Sequence, residues 1–586
     1  MLKFVRVIAG ADPQFEAHLK GVLEVYNRAF EFYPAYAEKI SSFAHGDHPP
    51  GAEAVLLAAM KKDEALGFTL SFYFSDLKAG YLDYIASDPD RAARGIGAAI
   101  YETMREDLRK RGARRLFFES LPDEPGPHVN AALIPLNKKR LAFYERLGAR
   151  PIVGTAFERT VTSYNLGDPG FLMHDPMGNP NPLSRKKLKA VIERILVAKT
   201  GFAASDEPIK SIVESARDDP AVTRAPRYGA PARSPLPKFE RPLDLVVTAD
   251  ETPSIEHSPF RGYYERPARV SAIRQALVDL PVREHKSSQW GIEHVEAVHD
   301  RRMVAFLRES ETNVAPKRIL YPEIFPVRFA ERLPRSWDMR AGYFCMDTST
   351  PITNVVYRAA RRAVDAALTG AKLIGEGKSS LVYVVVRPPG HHAERRVFGG
   401  FCYFNNAAIA ANYLSKRGKV ALLDIDHHHG NGAQDIFYER SDVLTVSIHG
   451  HPMTSYPFYA GFEDETGVGP GRGFNRNYPL HAGVDDAGYL TVLKSALRRV
   501  REFAPSFLIV CLGADIMKGD PTGDMFVTPD GMRMIGAAIG ETPAPILVVQ
   551  EGGYNLSNLR RGVRAFISGL ANAREKASAE RKEKGA

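Results

Sequence analysis

The chain has 586 residues, 44% hydrophobic and 25% charged, globular proportions that exclude a wholly disordered, collagen-like or disulfide-scaffold protein. At about 150 residues per domain, the length allows two to four domains. The formal net charge of +9, from 78 Lys and Arg against 69 Asp and Glu, permits an anionic partner without demanding one. Three scattered cysteines, Cys345, Cys402 and Cys511, make neither a disulfide framework nor a CxxC metal site, as expected in a reducing cytoplasm. The N-terminus MLKFVRVIAGADPQ lacks the apolar stretch and cleavage site of a signal peptide. No apolar run approaches the roughly 20 residues of a membrane span, so the expectation is a soluble, cytoplasmic protein.

Residues 1–165 read as a small α/β unit. LKFVRVIA (2–9) has strand character and Pro13 to about Phe30 helix character. Strand-like runs follow at Ala65–Phe74 and Tyr81–Ala86, then a helix (Gly95–Lys110), a strand (Arg115–Glu119) and a helix (Asn137–Leu147). Gly148 stands where a glycine stops a helix. Within 166–242, residues 183–199 form a basic amphipathic helix that docks its apolar stripe or meets an anionic partner. Seven prolines in 203–242 read as a linker.

Residues 243–570 read as a larger α/β unit with a parallel sheet covered by helices on both faces. Its clearest strands are Leu381–Val386, Val420–Ile425, Val443–Ile448, Phe507–Leu512 and Ile546–Val549; residues 571–586 read as a polar, frayed tail. Eight of the 17 histidines lie between His391 and His481. The polar residues follow the strands: His391 and His392, then Asp426 to His429, His449, Asp515, and Glu551 to Tyr554. Ligand sites of open α/β sheets lie at such carboxyl ends. Asp426 and His428, two apart on an extended segment, can face one side. With Asp515 they offer three N/O ligands and an open fourth position, the pattern of a catalytic zinc, with iron or cobalt as alternatives. His391 and His392 then remain for proton transfer, and Tyr554 for a substrate oxygen.

RPPGHHA (387–393), GGFCYFNNAAIAA (399–411), DIDHHHGNG (424–432), LGADIMKGDPTG (512–523) and EGGYN (551–555) together resemble the arginase-fold zinc deacetylases, the histone deacetylases and acetylpolyamine amidohydrolases. The resemblance implies Asp426, His428 and Asp515 as zinc ligands and His392 as general base. It implies His391 as its electrostatic and general-acid neighbour buttressed by Asp424, Tyr554 as oxyanion donor, and Gly400 and Phe401 along a substrate tunnel. Asn431 stands where some members carry Asp as partner of the second histidine. The resemblance also implies a structural potassium ion near Asp424, through oxygens of Asp424, Asp426, His428 and Ser447. AGYFCMDTSTPIT (341–353) and SIHGHPMTSYPFYAGFEDETG (447–467) resemble the polyamine branch. There Glu323, Glu463, Asp464 and Glu465 would draw a cation to the mouth, and homodimers are frequent.

In the first unit, Gly95-Ile96-Gly97 opens a helix whose N–H groups can cradle a pyrophosphate. With the order of elements and LAFYERLGAR (141–150), this resembles the GCN5-related N-acetyltransferases (GNAT). That resemblance implies acetyl-CoA at Arg94, Gly95, Ile96, Gly97 and Ala98, Tyr144 as proton donor to the departing thiolate, and Glu119 as general base. Ala92 stands where the family usually has Arg or Gln. The expectation is therefore an acetyltransferase domain fused to a zinc deacetylase acting on a small acetylated amine. The alternative is an acetyl-lysine deacetylase with a non-catalytic acetyl-CoA-sensing domain. Nothing resembles a base-reading motif.

Overall fold

The computed structural model describes the chain except Met1, residues 31–35, Pro50, 62–63, 90–95, 126–130, 158–169, Pro180, 229–238, Glu240, 249–263, Lys317 and 585–586. The contacts divide it into two units, Met1–Ser234 with Pro259–Gly262, and Pro235–Ser258 with Tyr263–Ala586.

The first unit holds a seven-stranded mixed sheet of β1 (Leu2–Arg6), β2 (Glu53–Lys61), β3 (Glu64–Phe74), β4 (Ala79–Ser87), β5 (Arg115–Ser120), β6 (Arg150–Pro151) and β7 (Phe171–Asp175), in the order β1-β2-β3-β4-β5-β7-β6. Only β4 and β5 pair in parallel, and their ladder stops at Leu82↔Phe118. Beyond that point the two strands run on unpaired with each other. Leu70 pairs with Tyr84 and Ser71 with Leu82, so Asp83 is the extra residue of a β-bulge. Alternation along β5 sends Leu116 and Phe118 to one face, with Tyr101, Met104 and Leu141, and Phe117 to the other, with Tyr26 and Ile195.

Helices Tyr36–Ala44 and Glu207–Ser215 and strands β2, β6 and β7 of this unit were absent from the sequence reading. The segment read as connector, 166–242, is also corrected. β7 pairs with β5, and helices Arg185–Thr200 and Glu207–Ser215 bury Leu188, Val191, Ile192, Ile195, Ile209 and Ile212 in the same core. At roughly 1.5–3 kcal/mol per buried aliphatic side chain, these helices are anchored. Pro208 starts the second of them instead of breaking it.

The second unit is built on an eight-stranded sheet. Its strands are β8 (Leu243–Val247), β9 (Val282–His285), β10 (Leu381–Val385), β11 (Val420–Asp424), β12 (Val443–Gly450), β13 (Asn475–Leu480), β14 (Phe507–Leu512) and β15 (Ile546–Gln550), in the order β13-β12-β11-β14-β15-β10-β8-β9. Every neighbouring pair is parallel. Val382, Leu422 and Ile509 pack under one helical layer, including 356–375 and 406–415. Tyr383, Leu423 and Val510 pack under the other, including 486–503 and 529–540. Burial on both faces explains the unbroken apolar runs. The C-terminal tail is not frayed at Arg574: helix Arg564–Lys584 continues through it, and the Arg574 guanidinium donates to the Thr542 carbonyl at 2.5 Å.

Candidate active site

β12, β11, β14, β15 and β10 are consecutive neighbours, so the residues after them meet along one line of carboxyl ends. Asp424 closes β11. Its Oδ1 accepts from the Asp426 N–H at 3.0 Å, and its Oδ2 lies 3.0 Å from His391 Nδ1. One tight turn thus orients both a histidine and the next carboxylate.

Asp426, His428 and Asp515 place one ligand atom each within 4.8 Å of one another. His428 Nδ1 lies 3.3 Å from Asp426 Oδ1 and 3.3 Å from Asp515 Oδ2. The remaining carboxylate oxygens are held from behind. Asp426 Oδ2 accepts from the Gly552 N–H at 2.8 Å, and Asp515 Oδ1 from the His427 N–H at 3.0 Å. Asp515 Oδ2 is buried and accepts no hydrogen bond. Both carboxylates are fully buried, and burial with the Asp426 charge pushes Asp515 up to about 7. Uncompensated buried carboxylates are costly. The observed 3.3 Å spacings equal the edge of about 3.3 Å expected of a tetrahedron with ligands about 2.0–2.1 Å from zinc. The donor set therefore fits a divalent ion with an open position.

His391 and His392 lie beside this trio with rings 3.9 Å apart, and their partners differ. His391 faces the Asp424 carboxylate. Burial lowers its basicity, but Asp426 and Asp424 outweigh that and raise it to about 10. His392 Nδ1 lies 2.7 Å from Asn431 Oδ1. Burial, with the charges of His391 and His428, holds it well below its usual value. Asn431 Nδ2 donates to Glu394 Oε1 at 2.7 Å, an oxygen that also accepts from Tyr459 O–H at 2.8 Å. That carboxylate fixes which end of the amide faces His392. His392 therefore carries its proton on Nδ1 and leaves Nε2 free.

Tyr554 is buried with its N–H on Asp520 Oδ2 at 2.8 Å; Asp520 is thus a loop-fixing residue. The Arg269 guanidinium lies 4.8 Å from the Tyr554 ring centroid and donates to the carbonyls of Gly553 at 2.7 Å and of Glu551. Phe401 meets the Tyr554 ring edge-on at 5.8 Å. Gly400 and Phe401 both have left-handed backbones, at φ +57° and +70°. A Cβ on Gly400 would stand 2.2 Å from His392 Cδ2. Tyr456 supplies another wall, 4.8 Å from the His392 ring, with its hydroxyl on Asp347 Oδ2 at 3.0 Å.

Sequence reasoning missed Arg269 and Glu394, and gave no role to Tyr456 and Glu551, which lie in the stretches it quoted. The last ties down the histidine loop, since Glu551 Oε2 accepts from the N–H groups of Gly390 at 2.6 Å and His391 at 3.1 Å. Of the acidic residues expected at the mouth, Glu323, Glu463 and Asp464 are exposed. Glu465 is turned inward, accepting from Gln434 Nε2 at 2.6 Å and the Gly461 N–H at 2.8 Å.

Comparison with known proteins agrees with this geometry. Residues 263–570 match the model of the histone deacetylase domain, over half of the chain. The chain belongs to the histone deacetylase family. Residues 19–149 match the acetyltransferase (GNAT) family, so this family member carries a second acetyl-group domain. Acetylpolyamine amidohydrolase of Burkholderia pseudomallei is 41% identical over 316 residues, 53% of this chain and 91% of that one. Acetylpolyamine amidohydrolase 2 of Pseudomonas aeruginosa is 39% identical over 308 residues, 51% of this chain and 89% of that one. A crystal structure of acetylpolyamine aminohydrolase from Burkholderia pseudomallei superposes with a TM-score of 0.53 at 36% identity, covering 56% of this chain and 98% of that one. Among the described residues, no helix is long and apolar enough to cross a membrane.

In the GNAT unit, Arg94 and Gly95 lie outside the described residues. Ile96, Gly97 and Ala98 form the first turn of helix Ile96–Lys110. The space where a Gly97 side chain would project is open. The structure does not bring Tyr144 and Glu119 together. Tyr144 packs on Phe118 at 4.4 Å between ring centroids. Glu119 leaves the other face of β5, where it accepts from Tyr81 O–H at 3.0 Å and Lys199 Nζ at 2.8 Å.

Proposed function

We propose that the deacetylase unit hydrolyses the N-acetyl amide of small cationic amines of the acetylpolyamine kind. The supporting observation is the pair of adjacent histidines with unlike partners, set beside Asp426, His428 and Asp515. In this reading those three hold the divalent ion, zinc by family. When bound, the ion polarises the acetyl carbonyl and acidifies water. His392, neutral and free at Nε2, takes the proton of the attacking water. The Tyr554 hydroxyl donates to the carbonyl oxygen as negative charge develops there. His391, held cationic by Asp426 and Asp424, gives a proton to the departing amine nitrogen. Acetate and the free amine result. Phe401 and Tyr456 enclose the acetyl arm and exclude water. The names of the relatives and the exposed Glu323, Glu463 and Asp464 support a cationic substrate.

The GNAT unit is assigned acetyl-CoA, with the N-terminus of helix Ile96–Lys110 receiving its phosphates. A structural potassium ion belongs to the same reading, near Asp424 and Ser447, which are partners across β11 and β12. The domain limits of this reading are those taken from the sequence with two changes: the described residues of 171–228 pack with the first unit, and the last helix of the second unit runs to Lys584.

The test compares acetylputrescine or acetylspermidine with an acetyl-lysine peptide, for wild type and Tyr554→Phe. The expected result is faster cleavage of the polyamine, reduced about 10²–10³-fold in the variant. Preference for the peptide would overturn the substrate class. An unchanged variant rate would overturn the role of Tyr554.

A further inference from the structure

In the GNAT unit, β4 and β5 separate after Leu82 and Phe118, and two carboxylates stand at the fork. Asp83, the bulge residue, accepts from Tyr36 O–H. Glu119 accepts from Tyr81 O–H at 3.0 Å. Between these groups sits a primary ammonium of the chain itself. Lys199 Nζ lies 2.8 Å from Glu119 Oε1, and its charge reaches Asp83 as well. Lys199 stands on the last turn of helix Arg185–Thr200, which is anchored by Leu188, Val191, Ile192, Ile195 and Leu196. Gly201, left-handed at φ +72°, ends the helix immediately after. The amine is therefore delivered to the fork by a rigid element, and its side chain remains one-third exposed.

An ordinary surface ion pair contributes about 0–1 kcal/mol and needs no such surroundings. Here a carboxylate able to accept a proton holds a primary amine at the one place in the sheet where parallel strands part. Two tyrosine hydroxyls steady the two carboxylates. We propose that Lys199 is an internal acetyl acceptor of the GNAT unit, a self-acetylation site whose amine occupies the place of a free primary amine substrate. This rests on the reading of that unit as one that uses acetyl-CoA.

The step balances as follows. The Lys199 nitrogen attacks the thioester carbonyl carbon of acetyl-CoA. A C–N bond forms and the C–S bond breaks. The ammonium gives up two protons: Glu119 passes one to water, and the other ends on the coenzyme A sulfur. Acetylation removes the charge that pairs with Glu119 and leaves Asp83 with the charge of Lys39 alone. Burial disfavours the Lys199 charge, but Glu119 and Asp83 outweigh it and hold the amine above its usual pKa. The rate of marking therefore rises with pH.

The test uses the full chain carrying Tyr554→Phe, so that hydrolysis does not erase the mark. It is incubated with isotope-labelled acetyl-CoA, and acetyl incorporation at each lysine is read by peptide mass spectrometry. Lys186 and Lys189 of the same helix are internal references for uncatalysed acetylation. The expected result is incorporation at Lys199 on the order of tenfold or more faster than at either reference, since the amine is held in place. Glu119→Gln should slow Lys199 about a hundredfold and leave the references unchanged. Equal rates at the three lysines in the unsubstituted GNAT unit would overturn the proposal even if Glu119→Gln fails to fold. Coenzyme A binding, measured separately by equilibrium dialysis, distinguishes the failures. Binding without marking of Lys199 overturns the self-acetylation alone; no binding overturns the acetyl-CoA reading with it.

Discussion

Gly400→Ala tests whether the tunnel floor and the base are one mechanical unit. The added methyl carbon would stand 2.2 Å from His392 Cδ2, whereas carbon contacts settle at about 3.5 Å. Ring or loop must yield by more than about 1 Å. The ring has little freedom, with Asn431 at 2.7 Å, the His391 ring at 3.9 Å and the Tyr456 ring at 4.8 Å. The loop is held too, because the Gly400 N–H donates to Asp347 Oδ2 at 2.6 Å. The backbone at φ +57° adds about 1–2 kcal/mol for any side chain. A misplacement of about 1 Å costs about 100-fold in rate. The expected outcome in a steady-state deacetylation assay is a kcat lower by about that factor. Metal content by atomic absorption should be unchanged, because the three atoms nearest the added carbon all belong to His392 and none to Asp426, His428 or Asp515. A kcat within about threefold of wild type would refute the reasoning, since the clash would then have been absorbed without moving His392.

Chelation should abolish hydrolysis and lower the melting temperature of the deacetylase unit, with zinc restoring both. The scale is about 2.7 kcal/mol when zinc stands at 100 times its Kd; a rate unmoved by thorough chelation would sink the metal reading. His299 gives a pH prediction. It is buried, with Nδ1–H donating to the Glu394 carbonyl at 2.8 Å and Nε2 accepting from the Asn405 N–H at 2.9 Å, and burial lowers it to about 4. Between pH 6.5 and 4 the unfolded chain binds the extra proton, so stability falls with pH there by about 3 kcal/mol in all. Calorimetry should show a flatter slope for His299→Gln in that window; an unchanged slope counts against it.

The site was legible because parallel strands put their carboxyl ends in one row, and each of those ends carries a His, Asp or Tyr. What stayed hidden was reached by folding over distance. Arg269 is an ordinary arginine on an ordinary helix until its burial under Tyr554 is seen. Glu394 gains its role only from Asn431 and Tyr459, which arrive from other loops. β2, with the sequence EAVLLAAMK, carries few β-branched residues, and pairing on both sides overrides that preference. The prolines of 203–242 suggested a linker because composition does not say that Pro208 opens a helix and that Ile209 and Ile212 have a core to enter. Glu119 and Tyr144 were each named by resemblance; Tyr144 packs on Phe118, and the period of a strand puts Glu119 on the opposite face of β5.

The unlike partners of the two histidines lead to a double-substitution test. His391 faces a carboxylate and His392 an amide, so one is held cationic and the other neutral. Asn431→Asp would place a carboxylate opposite His392 and raise its basicity toward that of His391. It would also remove the N–H that Glu394 Oε1 accepts at 2.7 Å and set two carboxylates face to face. Burial already raises Glu394 to about 7, so one of the two would take up a proton, and the order of His392 would be lost with it. Adding Glu394→Gln removes that conflict, because an amide can donate to the introduced carboxylate. The single variant should lose kcat by about 10–100-fold and the double variant should recover most of the loss. The acid limb of its pH profile should move upward, because His392 would then stay protonated to higher pH. If the double variant is no faster than the single one, Glu394 does not orient the base through Asn431, and the division of labour between the histidines rests on Asp424 alone.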